Sequence, residues 1–426
     1  MTYQEYDKKT LLTLKEELET IYKKYQGFGL NLNMTRGKPS VSQLDLSMEM
    51  LDTINSTSDL FSAYGDDCRN YGELGGIRES KHLMAELINV DPKYILVHGS
   101  SSLNIMYDFI SHSYTHGVNG ATPWCKLDKV KFLCPVPGYD RHFAITELFG
   151  IEMINIPLLE DGPDMDLVEK LVREDEAVKG IWCVPQYSNP SGIVYSDKTV
   201  RRFARLTPAA KDFRIYWDNS YCVHHLYFDQ VSYIPDILVE CEMAGNPDMV
   251  YEFLSTSKIS YAGAGLAAVA TSENNQKDVR KYMTIQTICH DKVNQLRHAR
   301  YFKDRATILE HMKKHADLLR PKFEAVHRIL ERELSGSGIG SWTNPRGGYF
   351  ISFQAMEGCA KAIVAKCKEA GVVLTEAGAT YPYGKDPKDS NIRIAPSYPN
   401  LEEIITATEV FALCVKLVTV EKLLSL

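Results

Sequence analysis

The sequence predicts an α/β protein with a large, mainly parallel-sheet domain and a smaller α+β domain. Three observations lead there. From about residue 90, short β-rich runs recur, each ending in a polar or glycine-containing turn. Helical patterns separate several of them, which is the grammar of parallel strands joined by crossover helices. After the turn "LSGSGIGSW" a second, shorter set of strands and helices begins. A length of 426 residues agrees with two or three domains.

Taken in order, Leu11, Leu14, Leu18 and Ile21 recur at helical spacing between charges and predict an amphipathic N-terminal helix. "GFGLNLNMTRGKPS" breaks it with glycines and a proline. The expected strands are "YILVHGSSS", "KFLCPVPGYD", "GIWCVPQYSNPSG", "RIYWDNSY" and "MVYEFLSTSK". "LNIMYDFISHSY" and "DKTVRRFARLTPAA" read as helices between them, and a long helical stretch is expected from Gln276 to Leu334. Then come the strand "GGYFISF", the helix "CAKAIVAKCKEAG", the run "NIRIAPSYP" and a final helix. Asn400 and Glu403 give that helix the layout of a capping box. The expected division is 1–48 contributing to the small domain, 49–310 as the large domain, and 311–426 as the C-terminal small domain.

Hydrophobic and charged fractions of 44% and 24% are those of a soluble globular protein. A net charge of −7 argues against a general nucleic-acid binder, and no apolar run approaches the roughly 18–20 residues of a membrane span. Ten scattered cysteines without a C-x-x-C pair, and a start without signal character, predict reduced thiols in a cytoplasmic protein.

In mainly parallel sheets ligands bind beyond the carboxyl ends of the strands, where the polar groups of this sequence gather. "HGSSSLN" offers Ser100, Ser101 and Ser102 at a helix start, as a phosphate site or as a simple N-cap. Tyr139 in "PVPGYDRHF" can stack on a flat ring or fill a core. Asn189 lies in the turn "YSNPSG". Asp218, directly after Tyr216 and Trp217, is a carboxylate in need of a cationic partner, or an N-cap. Lys258 in "STSKISYAGAG" is a lone amine among hydroxyls and small residues. Phosphate cradle, aromatic plane, carboxylate, amide, hydroxyl and lysine together form the inventory for pyridoxal 5′-phosphate, which needs a lysine Schiff base and an acidic partner for its pyridinium nitrogen.

The order P-G-Y, S-N-P-S-G, D-x-x-Y, S-x-S-K resembles fold-type I pyridoxal-phosphate aminotransferases of the aspartate aminotransferase superfamily over nearly the whole chain. "TRGKPS", "NYGELGGIRESK" and "SKISYAGAGLA" resemble its bacterial aspartate-aminotransferase-like subgroup.

The resemblance implies the PLP-dependent transferase fold type I and these roles. Lys258 bonds the cofactor and shuttles the proton. Asp218 pairs with the ring nitrogen, Asn189 and Tyr221 with the phenolic oxygen, and Tyr139 stacks. Ser100, Ser101, Ser102 and Ser255 hold the phosphate, helped by Tyr71 across a homodimer with shared sites. Arg393 in "NIRIAPSYP" and Gly37 take the substrate α-carboxylate, with Gly347, Gly348, Tyr349 and Phe350 nearby. Where many relatives carry a phosphate-binding arginine, eight residues beyond the lysine, this chain has Leu266.

The implied reaction moves an amino group between an amino acid and a 2-oxo acid, with aspartate and 2-oxoglutarate preferred. Arg36 and Arg141 are candidates for the side-chain carboxylate, weighed against structural or surface roles. The alternatives are a PLP lyase or decarboxylase on the same scaffold, or a non-catalytic PLP or amino-acid sensor.

Overall fold

The strand "VYEFLS" has no exposed residue, and such two-sided burial belongs to the centre of a sheet covered by helices. In this computed structural model, which describes residues 2–426, that strand lies within an eight-stranded sheet. Across the sheet run Ile95–Val97, Ala267–Ala270, Val250–Ser255, Arg214–Asp218, Val178–Cys183, Lys131–Val136, Glu152–Leu159 and Gly162–Pro163. The five strands from Val250–Ser255 to Glu152–Leu159 pair in parallel, and Ala267–Ala270 runs against its neighbours. Parallel pairing brings the segments after Val136, Cys183, Asp218 and Ser255 to one edge. The site candidates on those segments therefore gather along it.

A second sheet orders Gly340–Trp342, Ile351–Ala355 and Asn391–Ile394 antiparallel. Its core includes Phe353, Phe411 and Val415, and it continues into Val184, Tyr187 and Tyr221 of the larger part. The N-terminal helix Lys8–Gly27 buries Leu11 and Leu18 in this core, with Leu14 packed against it. Ile21 is exposed and Tyr22 is buried instead, so the apolar stripe is rotated by one residue from the expected one. Asn400 and Glu403 form the capping box at the start of Leu401–Ser425.

The single helical stretch expected from Gln276 to Leu334 is three helices, Glu273–Gln286, Lys292–Phe302 and Arg305–Leu334. Ser272, Asp291 and Asp304 each accept a backbone N–H three residues on, and these caps make new starts more favourable than continuation. Among the described residues no helix is long and apolar enough to cross a membrane, and all ten cysteines are unpaired.

The N-terminal chain is stitched to the smaller part by parallel pairing of Leu32–Asn33 with Val372–Val373. Gly371 opens that pairing: its carbonyl accepts the Leu32 N–H at 2.8 Å and its φ is +84°. A Cβ there would sit 2.1 Å from the Leu30 carbonyl oxygen, a clash with backbone. Gly371→Ala is expected to destabilise the protein by about 2–4 kcal/mol through strain and clash. Urea unfolding checks this, as a lowered midpoint at unchanged slope.

Candidate active site

A cavity of about 620 Å³ opens beyond the carboxyl ends of the parallel strands. Lys258, Asp218, Tyr221, Asn189, Tyr139, Ser102, Arg393 and Gly37 all line it, drawn from positions spread over more than 350 residues of chain. Its lining also includes the exposed side chains of Arg36, Lys38, Arg141, Lys368 and Glu376.

Asp218 ends the strand Arg214–Asp218 and is 4% exposed. It is no helix cap. Its Oδ2 lies 3.0 Å from His142 Nε2, and the Ser220 hydroxyl donates to its Oδ1. Burial by itself would raise the carboxyl. The bond and charge of His142, the Ser220 hydroxyl and the Lys258 charge outweigh burial and hold it below the ordinary carboxylate value. His142 is fixed in turn: its ring stacks on Trp182 at 4.4 Å and meets Tyr139 edge to face at 4.9 Å. Sequence reasoning passed over His142. Its signal was the spacing Tyr139-x-x-His142 at the start of helix Asp140–Leu148, which sets both rings on one face.

Lys258 follows the strand Val250–Ser255, and its Nζ sits 4.7 Å from the centre of the Tyr221 ring. Burial pulls the amine below the ordinary lysine value, and the Asp218 charge opposes that only in part. A lysine in this state gives up its proton more readily than a surface lysine. Burial also pushes the Tyr221 hydroxyl well up and the Tyr139 hydroxyl up to about 12, so both remain protonated donors near neutral pH.

Arg393 stands on the strand Asn391–Ile394, 7% exposed, with its guanidinium 5.0 Å from the Phe350 ring centre. Its Nη1 donates to Asp140 Oδ1 at 2.8 Å and to Asn189 Oδ1 at 3.3 Å, and Nη2 donates to Thr375 Oγ1 at 3.2 Å. Its Nε is buried without a partner, a donor left over for an anion. Gly37 faces the same ring, and a Cβ there would lie 2.3 Å from Phe350 Cζ. Glycine at 37 is therefore what lets the N-terminal loop close over Phe350. Asp140 and Thr375, which orient Arg393, carried no signal in sequence.

The remaining candidates lie apart from this lining. Ser101 is the N-cap of helix Ser102–His116, yet its hydroxyl makes no capping bond, and Ser100 precedes it. Ser255 is buried in the sheet opposite Ala267. Tyr71 is 74% exposed, and its carbonyl accepts from Lys292 Nζ at 3.0 Å. Tyr349 is buried, with its hydroxyl accepting from Gln43 Nε2 at 2.9 Å, and Gly347 and Gly348 pack against Tyr187. Leu266 is 2% exposed in the core, and its N–H donates to Thr256 Oγ1.

Comparison with known proteins agrees with this fold. A family model described as aspartate amino-transferase matches residues 7–425. An aspartate aminotransferase of Corynebacterium glutamicum is 44% identical over 99% of this chain and 97% of its own. The crystal structure of an aspartate transaminase from that organism superposes with a TM-score of 0.96 at 44% identity, covering 99% of both chains. At 18% identity, the α-aminoadipate aminotransferase LysN of Thermus thermophilus shares the fold, with a TM-score of 0.74 over 91% of this chain and 93% of its own. That structure is a complex with N-(5′-phosphopyridoxyl)-L-leucine.

Proposed function

The chain belongs to the aspartate aminotransferase family and is an amino-acid transaminase, and from that premise we propose that it uses pyridoxal 5′-phosphate to move an amino group from aspartate to 2-oxoglutarate. One observation carries the cofactor assignment: Lys258, Asp218 with its His142 partner, Tyr139, Tyr221 and Asn189 converge on one cavity. The residues fit the group. Ser101 heads a 15-residue helix with its hydroxyl unspent, as a phosphate would require, and a carboxylate and a lysine share the same wall.

When bound, pyridoxal phosphate supplies a carbonyl for amines and a conjugated ring that accepts the electrons left when Cα loses its proton. The other tasks fall to the chain. Asp218, kept ionised by His142 and Ser220, would hold a proton on the ring nitrogen. Asn189 and Tyr221 would hydrogen-bond the phenolic oxygen, and Tyr139 would cover the ring. Ser100, Ser101, Ser102 and Ser255 would take the phosphate, with Tyr71 of the partner subunit in a homodimer. The exposure of Tyr71 supports that last assignment. Leu266 in the core is the reason the phosphate would depend on hydroxyls and helix-end N–H groups.

Lys258, once freed, would move the proton at Cα, its lowered basicity matching that task. Arg393, through its spare Nε, and Gly37 would hold the substrate α-carboxylate. Around the cavity Arg36, Lys38, Arg141, Lys258, Lys368 and Arg393 outnumber the carboxylates Asp140, Asp218 and Glu376, and this excess of cations favours a dicarboxylic substrate. Arg36 and Arg141 remain the proposed grips for its side-chain carboxylate. The separation of a core built mainly from residues 3–34 and 319–420 from another built from residues 50–312 supports a large domain over 49–310 and a small one from 1–48 with 311–426. A cytoplasmic location completes the proposal.

The experiment is a half-reaction screen: the loaded enzyme is mixed with one amino donor at a time and followed by absorbance. Aspartate and glutamate are expected to convert it to the pyridoxamine form fastest. A faster alanine or aromatic donor would reject the substrate pair. Decarboxylation or elimination without that conversion would reject transamination in favour of the lyase reading.

A further inference from the structure

The strand Ile95–Val97 is an outer edge of the large sheet. Beside its amino end lies a cavity of about 210 Å³, walled by the helices Arg78–Ile88 and Glu273–Gln286 and by the turn at Pro92 and Lys93. It shares no lining residue with the catalytic cavity.

The lining carries charge of one sign. Arg78, Lys81, Lys93 and Arg280 reach it together with His82, and among the described residues no carboxylate does. Lys93 has an acid at ion-pair distance, Asp91 at 3.7 Å, and Arg78, Lys81 and Arg280 have none. Glu79, the acid in the first turn of helix Arg78–Ile88, instead accepts the Ala63 N–H. Arg78 opens that helix and Lys81 follows three residues on, so both add to the positive end of its dipole, where acids are the stabilising choice.

Arg280 is set in place by backbone. The Gly75 carbonyl accepts the Val97 N–H at 2.9 Å, and a Cβ on Gly75 would lie 2.6 Å from Arg280 Nη2. The guanidinium thus occupies the space a side chain at 75 would take. Burial and then the Arg280 charge pull the Lys81 amine below the ordinary lysine value, with Arg78 adding to the pull and Glu73 opposing it. These cations crowd one another, and a bound anion relieves the crowding.

From this arrangement we propose that the cavity is a second anion site, taking a phosphate group as its dianion. Cations converge on it from two helices and a turn. A tetrahedral oxyanion offers an oxygen to each of them, whereas a planar anion answers one fork. Its two charges answer Arg280 and Lys81, and the exposed Arg78 and Lys93 strengthen the field around them.

The test is a calorimetric titration of the pyridoxal-phosphate-loaded enzyme with inorganic phosphate, with glycerol 3-phosphate, and with nitrate as a planar monoanion, all at one ionic strength. Phosphate is expected to bind at least about tenfold more tightly than nitrate, and Arg280→Gln to weaken it at least about tenfold. Lys81→Gln is expected to act in the same direction, so the test survives an Arg280 variant that fails to fold. Tighter binding of inorganic phosphate assigns the free anion, and tighter binding of glycerol 3-phosphate assigns a phosphate monoester; either supports the site. Equal binding of phosphate and nitrate, phosphate binding unaffected by both substitutions, or no phosphate binding by the unmodified enzyme would each overturn it. Because the two cavities share no residue, each of those results leaves the cofactor reading in place.

Discussion

Replacing Lys258 by alanine is expected to lower the transamination rate by at least about 10⁴-fold, because the proposed roles of the amine are both covalent partner of the cofactor and general base. The borohydride-reducible adduct and its absorbance band should vanish together. Persistence of the adduct in Lys258→Ala would move the covalent role to another amine. The same substitution has a second readout in the cofactor-free protein. Burial lowers the Lys258 amine from the ordinary 10.5, so between that lowered value and 10.5 the unfolded chain binds more protons than the folded one. Stability therefore rises with pH through that window, and Lys258→Ala should lose this contribution. Urea midpoints for the two proteins, measured across the alkaline range, supply the comparison.

Asp218→Asn is expected to cost about 10²–10³-fold in kcat, the scale of removing one preorganised charge from a buried site. Asparagine keeps the shape and can still engage His142 and Ser220, so fold and cofactor occupancy should change far less than turnover. The loss should appear in kcat, with little change in KM for the amino donor or the oxo acid. A change confined to KM would exclude a role at the ring nitrogen. At acid pH the slope has the same sign as for Lys258, because this group too binds fewer protons folded than unfolded and stability rises with pH through its window. The Asp218 carboxyl lies below its ordinary value, so its contribution to stability is complete above that value and disappears as pH falls through the lowered one. Asp218→Asn should flatten that part of the acid-stability profile.

Much of the site was legible because its members are tied to local grammar. Each stands at the end of a strand or just beyond it, and parallel strands deliver their downstream segments to one edge whatever the sequence between. Lys258, Asp218, Tyr221, Asn189 and Tyr139 were found that way. His142, Asp140 and Thr375 were not. His142 is one turn past Tyr139, yet its partner is 76 residues away. Asp140 meets Arg393 across 253 residues of sequence. Nothing in the neighbourhood of either residue encodes the distant partner.

The helical stretch from Gln276 to Leu334 shows the converse, since its breaks were local and available. Asp291 and Asp304 each stand three residues before a backbone N–H that they cap. The amphipathic pattern runs on across both breaks and hides them.

By itself, the sequence determined the order of strands and helices, the caps, and which residues stand at strand ends, because period, burial and capping act within a few residues of chain. Tertiary structure alone decided the ionisation of Asp218 and Lys258 and the anchoring of Arg393. Those depend on desolvation and on charges brought within hydrogen-bond reach from far along the chain, and both exist only once the sheet and the smaller part have packed.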